Sequence, residues 1–223
     1  FTEVARESES GLYSKRVDVS FRWSMSWFIF SEVMFFSAFF GALFYARALA
    51  MPWLGDLDHR TLLWPDFTPV WPNLGPGEIA EPFQAIGPWP IPTLNTALLL
   101  TSGVTLTIAH HALKDNRRGS TAFWLLITVL LGFIFLGFQA YEFTAFYYEG
   151  LTPRTNLFGS SFFTLTGFHG AHVAVGVLWL LSLLVMDFKR GLGPSDVVHV
   201  DIMALYWHFV DVVWIAIFTL IYL

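Results

Sequence analysis

An all-α integral membrane protein, built as a five-helix transmembrane bundle, is the fold class this sequence predicts, and three observations predict it. Charged residues are 13% of the 223 positions and hydrophobic ones 55%, about half the roughly 25% charge of a soluble domain. Five segments, at roughly 22–49, 94–113, 121–148, 158–187 and 202–223, are apolar enough to be spans; a hydrocarbon core of about 30 Å takes about 20 such residues per helix. Basic residues also alternate in density along the chain. Threading the five spans puts Arg6, Lys15, Arg16, Arg22, Lys114, Arg117, Arg118, Lys189 and Arg190 on one side and Arg47, Arg60 and Arg154 on the other. That asymmetry is the positive-inside pattern, so the N-terminus is expected in the cytoplasm and the C-terminus outside.

In chain order, residues 1–21 read as a polar cytoplasmic segment with neither an initiator Met nor a signal-peptide core. The expectation is that a longer sequence precedes it. Between the first two spans, 51–93 holds nine of the eleven prolines and Trp53, Trp64, Trp71 and Trp89. Prolines at that density oppose regular helix, and tryptophans favour the interface, so an ordered periplasmic surface loop is expected. No repeat of fixed period appears, and 1–223 reads as a single transmembrane domain.

Candidate functional residues are the polar groups inside the spans, because an ionisable side chain there is costly and faces a partner or a cavity. Counting about 1.5 Å per residue, Glu32 lies about 13 Å from the cytoplasmic edge, with His169 and His172 about 15 and 10 Å from it. His208 and Asp211 lie about 8 and 12 Å deep by the same measure. Glu32 is therefore expected to pair with His172 across helices. His208 and Asp211, three residues apart, can pair locally, and His169 and His172 share a face by the same spacing. Glu142, at the outer end of the third span, is expected to reach water. For Glu32, a structural ion pair and a proton-linked role both stand open.

Two histidines at i,i+3 supply only half of a four-ligand metal site, so hydrogen bonding is favoured for His169 and His172. His110, in the "AHH" run, suits the negative end of a helix dipole. His59 and His199 are placed in loops. The absence of cysteine removes Cys-ligated zinc, Fe–S clusters and thiolate-bridged copper. A His-box di-iron enzyme lacks its ligand set here. A proton-coupled transporter using Glu32 and Asp211 lacks the repeats and broken helices of that class.

Five co-linear motifs narrow the choice: "FRWSMSWFIFSEVMFF" at 21–36, "LNTALLLTSGVTLTIAHHAL" at 94–113, "GFQAYEF" at 137–143, "GSSFFTLTGFHGAHVAVG" at 159–176 and "YWHFVDVVWIAIF" at 206–218. Together they resemble the subunit III family of the haem-copper oxidases, the cytochrome c oxidase branch in particular. The resemblance implies an accessory subunit with no cofactor of its own, the haems and copper being carried by subunits I and II. It implies those two subunits and phospholipids as partners, cytochrome c as the indirect electron donor, no nucleic acid, and a bacterial inner membrane. Glu32 matches the family's intramembrane acid, as a structural or proton-linked group. Arg22, His110 and Trp27 are candidates for holding lipid.

Members of this family usually have seven spans. "VARESESGLYSKRVDVSFR" at 4–22 resembles the loop after their second helix, so the resemblance implies helices three to seven here, the first two being absent from this chain. The related quinol oxidase subunit III has five spans and shares "WHFVDVVW". The long Pro/Trp loop and "SEVMFF" with "AHHAL" favour the cytochrome c branch.

Overall fold

A computed structural model describes residues 3, 6, 7, 10, 14–56, 62–72, 75, 76 and 87–223, and among them there is no strand. Five helices are long and apolar enough to cross a membrane among these residues. We number them α1 (Lys15–Phe44), α2 (Ile91–Lys114), α3 (Arg118–Tyr148), α4 (Leu157–Arg190) and α5 (Val197–Ile217). A π-turn at Tyr45–Ala50 and a further helical turn at Met51–Leu54 continue α1, and a second π-turn at Phe218–Tyr222 continues α5.

Local sequence signals mark several of the helix boundaries. After α2, Asn116 takes a positive φ of 57°, and Arg117 N–H reaches back to the Ala112 carbonyl at 2.8 Å, the left-handed ending that Asn and Gly favour. Asn156 starts α4 by accepting the Gly159 N–H at 2.6 Å, satisfying an otherwise orphaned donor. In the tight α4–α5 connection, Asp187 accepts the Leu192 N–H at 2.7 Å, and Arg190 clamps Asp196 at 2.8 Å.

Helix boundaries differ from the sequence expectation. α1 begins at Lys15, inside the segment read as a polar lead-in, and its continuous stretch from Arg16 to Leu54 has 39 residues. That is about 58 Å of helix against about 30 Å of hydrocarbon, so hydropathy marks only the middle. Pro52 lies at the start of the Met51–Leu54 turn and Pro92 at the start of α2. The first helical turn needs no proline N–H, which is why Pro92 does not stop α2, whereas Pro52 lies inside the continuous Arg16–Leu54 stretch, directly after the π-turn. His199 lies in α5, not in a loop. His59, Arg60 and Pro82 lie outside the described residues.

The core is organised around α5. Trp207 and Trp214 are fully buried, and each donates its indole N–H to α2 at 2.9 Å, Trp207 to Ser102 and Trp214 to Thr96. A buried indole needs such a partner. Close approach around Trp207 depends on missing side chains: a Cβ at Gly132 would lie 2.6 Å from Val177, and one at Gly176 would lie 2.7 Å from Trp207. Small residues at helix contacts of this kind substitute for hydrophobic drive, which lipid cannot provide. α1 packs on α5 and, more lightly, on α4. It is the least enclosed span, with 11% of its apolar stretch buried against 56% for α5.

Candidate functional site

Glu32, on α1, and His172, on α4, meet at 2.9 Å between Oε2 and Nε2. The other ring nitrogen, Nδ1, lies 2.7 Å from the Phe168 carbonyl. A carbonyl only accepts, so Nδ1 carries a proton. The Nε2–Oε2 contact must then also contain one, as imidazolium against carboxylate or as imidazole against carboxylic acid. The contact is a proton-holding pair in both forms. Both side chains are less than one-fifth exposed, and the Phe36 ring covers the imidazole with its centroid 5.1 Å away. Burial without a partner would cost either group several kcal/mol, about 3–5 when a buried pair is broken.

His169 diverges from His172 even though the two are three residues apart. Three residues turn a helix by about 300°, and that offset of about 60° decides between two seams. His169 points into the centre, fully buried, with Nε2 donating to the Val210 carbonyl at 3.2 Å and its ring 4.9 Å from Trp214. His172 points to α1.

His208 and Asp211 form a second pair at 3.3 Å on α5, lying over Gly103 of α2. The Thr107 hydroxyl is 3.0 Å from the Gly103 carbonyl and 3.3 Å from His208 Nε2. With its own proton given to that carbonyl, Thr107 accepts from Nε2, and a proton again sits between Nδ1 and the Asp211 carboxyl.

Two clusters escaped sequence reading. Asp201, early in α5, is met by Arg22 from α1 and by His110 from α2, so one carboxylate ties three helices together at one end of the bundle. Arg22 is 44% exposed at its side chain and His110 only 14%. His110, expected at the negative end of the helix dipole, also touches this carboxylate. Trp27 is 65% exposed, facing outward from α1.

Glu142, expected to reach water, is instead buried at 4% exposure, and the Tyr222 hydroxyl donates to it at 3.0 Å. The π-turn that continues α5 brings that hydroxyl over the end of α3. The buried amide of Gln139 lies next to this pair. On the same side, Arg47, in the π-turn that continues α1, donates to the Leu220 carbonyl at 3.2 Å, a cation at a helix C-terminal end.

No group of three or more His, Cys, Asp or Glu side chains able to hold a metal ion occurs among the described residues. Five long apolar helices joined by paired carboxyl and imidazole groups define a multi-pass membrane protein whose interior polar groups fasten one helix to another. The family model described as cytochrome c oxidase subunit III matches residues 1–223, and the chain belongs to that family. It is 41% identical over 222 residues to cytochrome c oxidase subunit 3 of Aedes aegypti, covering 99% of this chain and 76% of that protein. The subunits of the same name from Triticum aestivum and Loxodonta africana are each 37% identical, over 99% of this chain and 75% and 76% of their own lengths.

Proposed function

We propose that this chain is the accessory, non-redox subunit III of a proton-pumping cytochrome c oxidase in an aerobic respiratory chain. In this reading it packs on subunit I, holds phospholipids and supports proton uptake. The same lipid offers dioxygen a route, while haems and copper belong to subunits I and II. Cytochrome c is then the electron donor of the complex and not a ligand of this chain. The five helices act as one transmembrane domain in a bacterial inner membrane, the N-terminus cytoplasmic and the C-terminus periplasmic. Density of Lys and Arg on one side supports that orientation.

The Glu32–His172 contact at 2.9 Å carries the proposal. It supports a structural or proton-linked role for this pair between α1 and α4. Arg22, half-exposed beside Asp201, suits a lipid phosphate, and Trp27 suits the interface.

The test is Glu32→Gln in the intact oxidase. Expected are unchanged haem and copper spectra, with the defect in lipid retention, assembly or activity lost progressively during turnover. Loss of a haem or copper signal from a fully assembled complex would refute the accessory role.

A further inference from the structure

Seven residues advance a helix by about 10.5 Å and bring it back to within about 20° of the same face. That step relates two layers inside the bundle of α2, α3, α4 and α5. In the first layer the Trp207 indole lies against Gly132 and Gly176 and donates to Ser102. Seven residues along each helix, toward the end where α5 finishes, stand Gln139, His169, Asn95 and Trp214. Trp214 ties this second layer together: its ring is 4.9 Å from those of His169 and Phe135, and its indole donates to Thr96, beside Asn95. Gln139 faces α4 next to His169, since a Cβ at Gly170 would lie 4.0 Å from its Cγ.

The first layer is filled by an apolar ring packed on two glycines; the second puts polar side chains in the same places. Asn95 and His169 are fully buried, and Gln139 is buried as well. Both polar atoms of each amide, and Nδ1 of His169, meet no hydrogen-bond partner among the described residues. Turning an amide over exchanges its oxygen and nitrogen and satisfies neither. His169 Nε2 gives its proton to the Val210 carbonyl, so Nδ1 of the neutral ring is an acceptor. Orphans grouped in one layer depart from the near-complete pairing of buried polar groups in folded proteins. The set also mixes signs: the amide NH2 groups donate, while the amide oxygens and Nδ1 accept. A cation would serve only the acceptors, an anion only the donors, and an apolar guest neither. Water both donates and accepts.

We propose that the layer of Asn95, Gln139 and His169 is a binding site for internal water, about two molecules at about three hydrogen bonds each, which joins α2, α3 and α4 where their side chains do not join directly. The Gln139 amide lies beside the Tyr222 hydroxyl, which donates to Glu142, so the water extends that pair inward as far as His169. There it stops. The imidazole donates to a backbone carbonyl that has no proton to pass on, and the Trp207 layer lies beyond. The water is a fastener of helices and not a proton route through the chain. The inference concerns this chain's own interior and stands apart from the proposed role in the oxidase.

An experimental structure of the native complex purified through this chain, at a resolution that shows ordered solvent, tests it. Expected is water density within about 3.2 Å of His169 Nδ1 and of at least one atom of each amide, directly or through a second water. Direct hydrogen bonds among the three side chains with no density between them, or density for an ion or a lipid tail, overturn the proposal. As a second arm, Asn95→Leu and Gln139→Leu are each expected to speed unfolding of this subunit in the solubilised complex by about tenfold, the scale of one buried polar group left unpaired. The double variant is expected to stay near that single effect, because the second substitution removes a group already stripped of its water. A double effect equal to the product of the two, about a hundredfold, overturns the shared site. If the variants do not assemble, the density in the unsubstituted complex decides alone.

Discussion

Replacing Gly176 with Ala is expected to destabilise the bundle through one rigid ring. The added Cβ would lie 2.7 and 2.8 Å from Cζ3 and Cε3 of Trp207 and 3.2 Å from Cε1 of Tyr206. Carbon atoms rest at about 3.5–4.0 Å, so the indole must retreat by about 1 Å. It has nowhere to go. On the α3 side a Cβ at Gly132 would already lie 3.2 Å from the same ring, and the indole N–H is held by Ser102 at 2.9 Å. Overpacking of this kind costs about 1–3 kcal/mol. Trp207→Leu alone empties the site and costs a little less than the about 3–5 kcal/mol of full truncation. In the double variant the added methyl meets a cavity, so the effects are sub-additive by about 1–2 kcal/mol. The assay is the unfolding midpoint of this subunit in the solubilised oxidase for all four proteins. Strict additivity, or a Gly176→Ala protein as stable as the parent, would refute the packing argument.

Two further outcomes follow from the buried carboxylates. Asp201→Asn removes the one acid shared by Arg22 and His110, and the expected loss is about 1–3 kcal/mol, largely recovered by adding His110→Leu; the unfolding midpoint measures both. Tyr222→Phe leaves the Glu142 carboxyl buried without its donor, costing about 1–3 kcal/mol, and Glu142→Leu on that background is expected to restore stability. No recovery in that double variant would show that the acid has other partners.

The spans were legible because each one is a long apolar run, and their depth scale was good enough to bring Glu32 and His172 together from 140 residues apart in sequence. The His208–Asp211 contact was legible too, since i,i+3 spacing is local. Asp201 was not: an acid near the start of a helix looks like an ordinary dipole partner, and its two partners, Arg22 and His110, come from α1 and α2. Glu142 was misplaced for a related reason. Its depth alone suggests water, and only the π-turn beyond α5 puts the Tyr222 hydroxyl over it. The true start of α1 was hidden because helix continues past the hydrocarbon edge, where hydropathy carries no signal.

Purifying the native complex through a tag on this chain, then taking its subunit masses together with its haem and copper spectra, tests the central claim most directly. The account predicts a haem-copper oxidase that oxidises cytochrome c, contains the dicopper-bearing subunit II, and keeps its metal signals on polypeptides other than this one. Isolation of the chain alone, a complex without haem, or an oxidase that takes electrons from quinol and has no dicopper centre would contradict it.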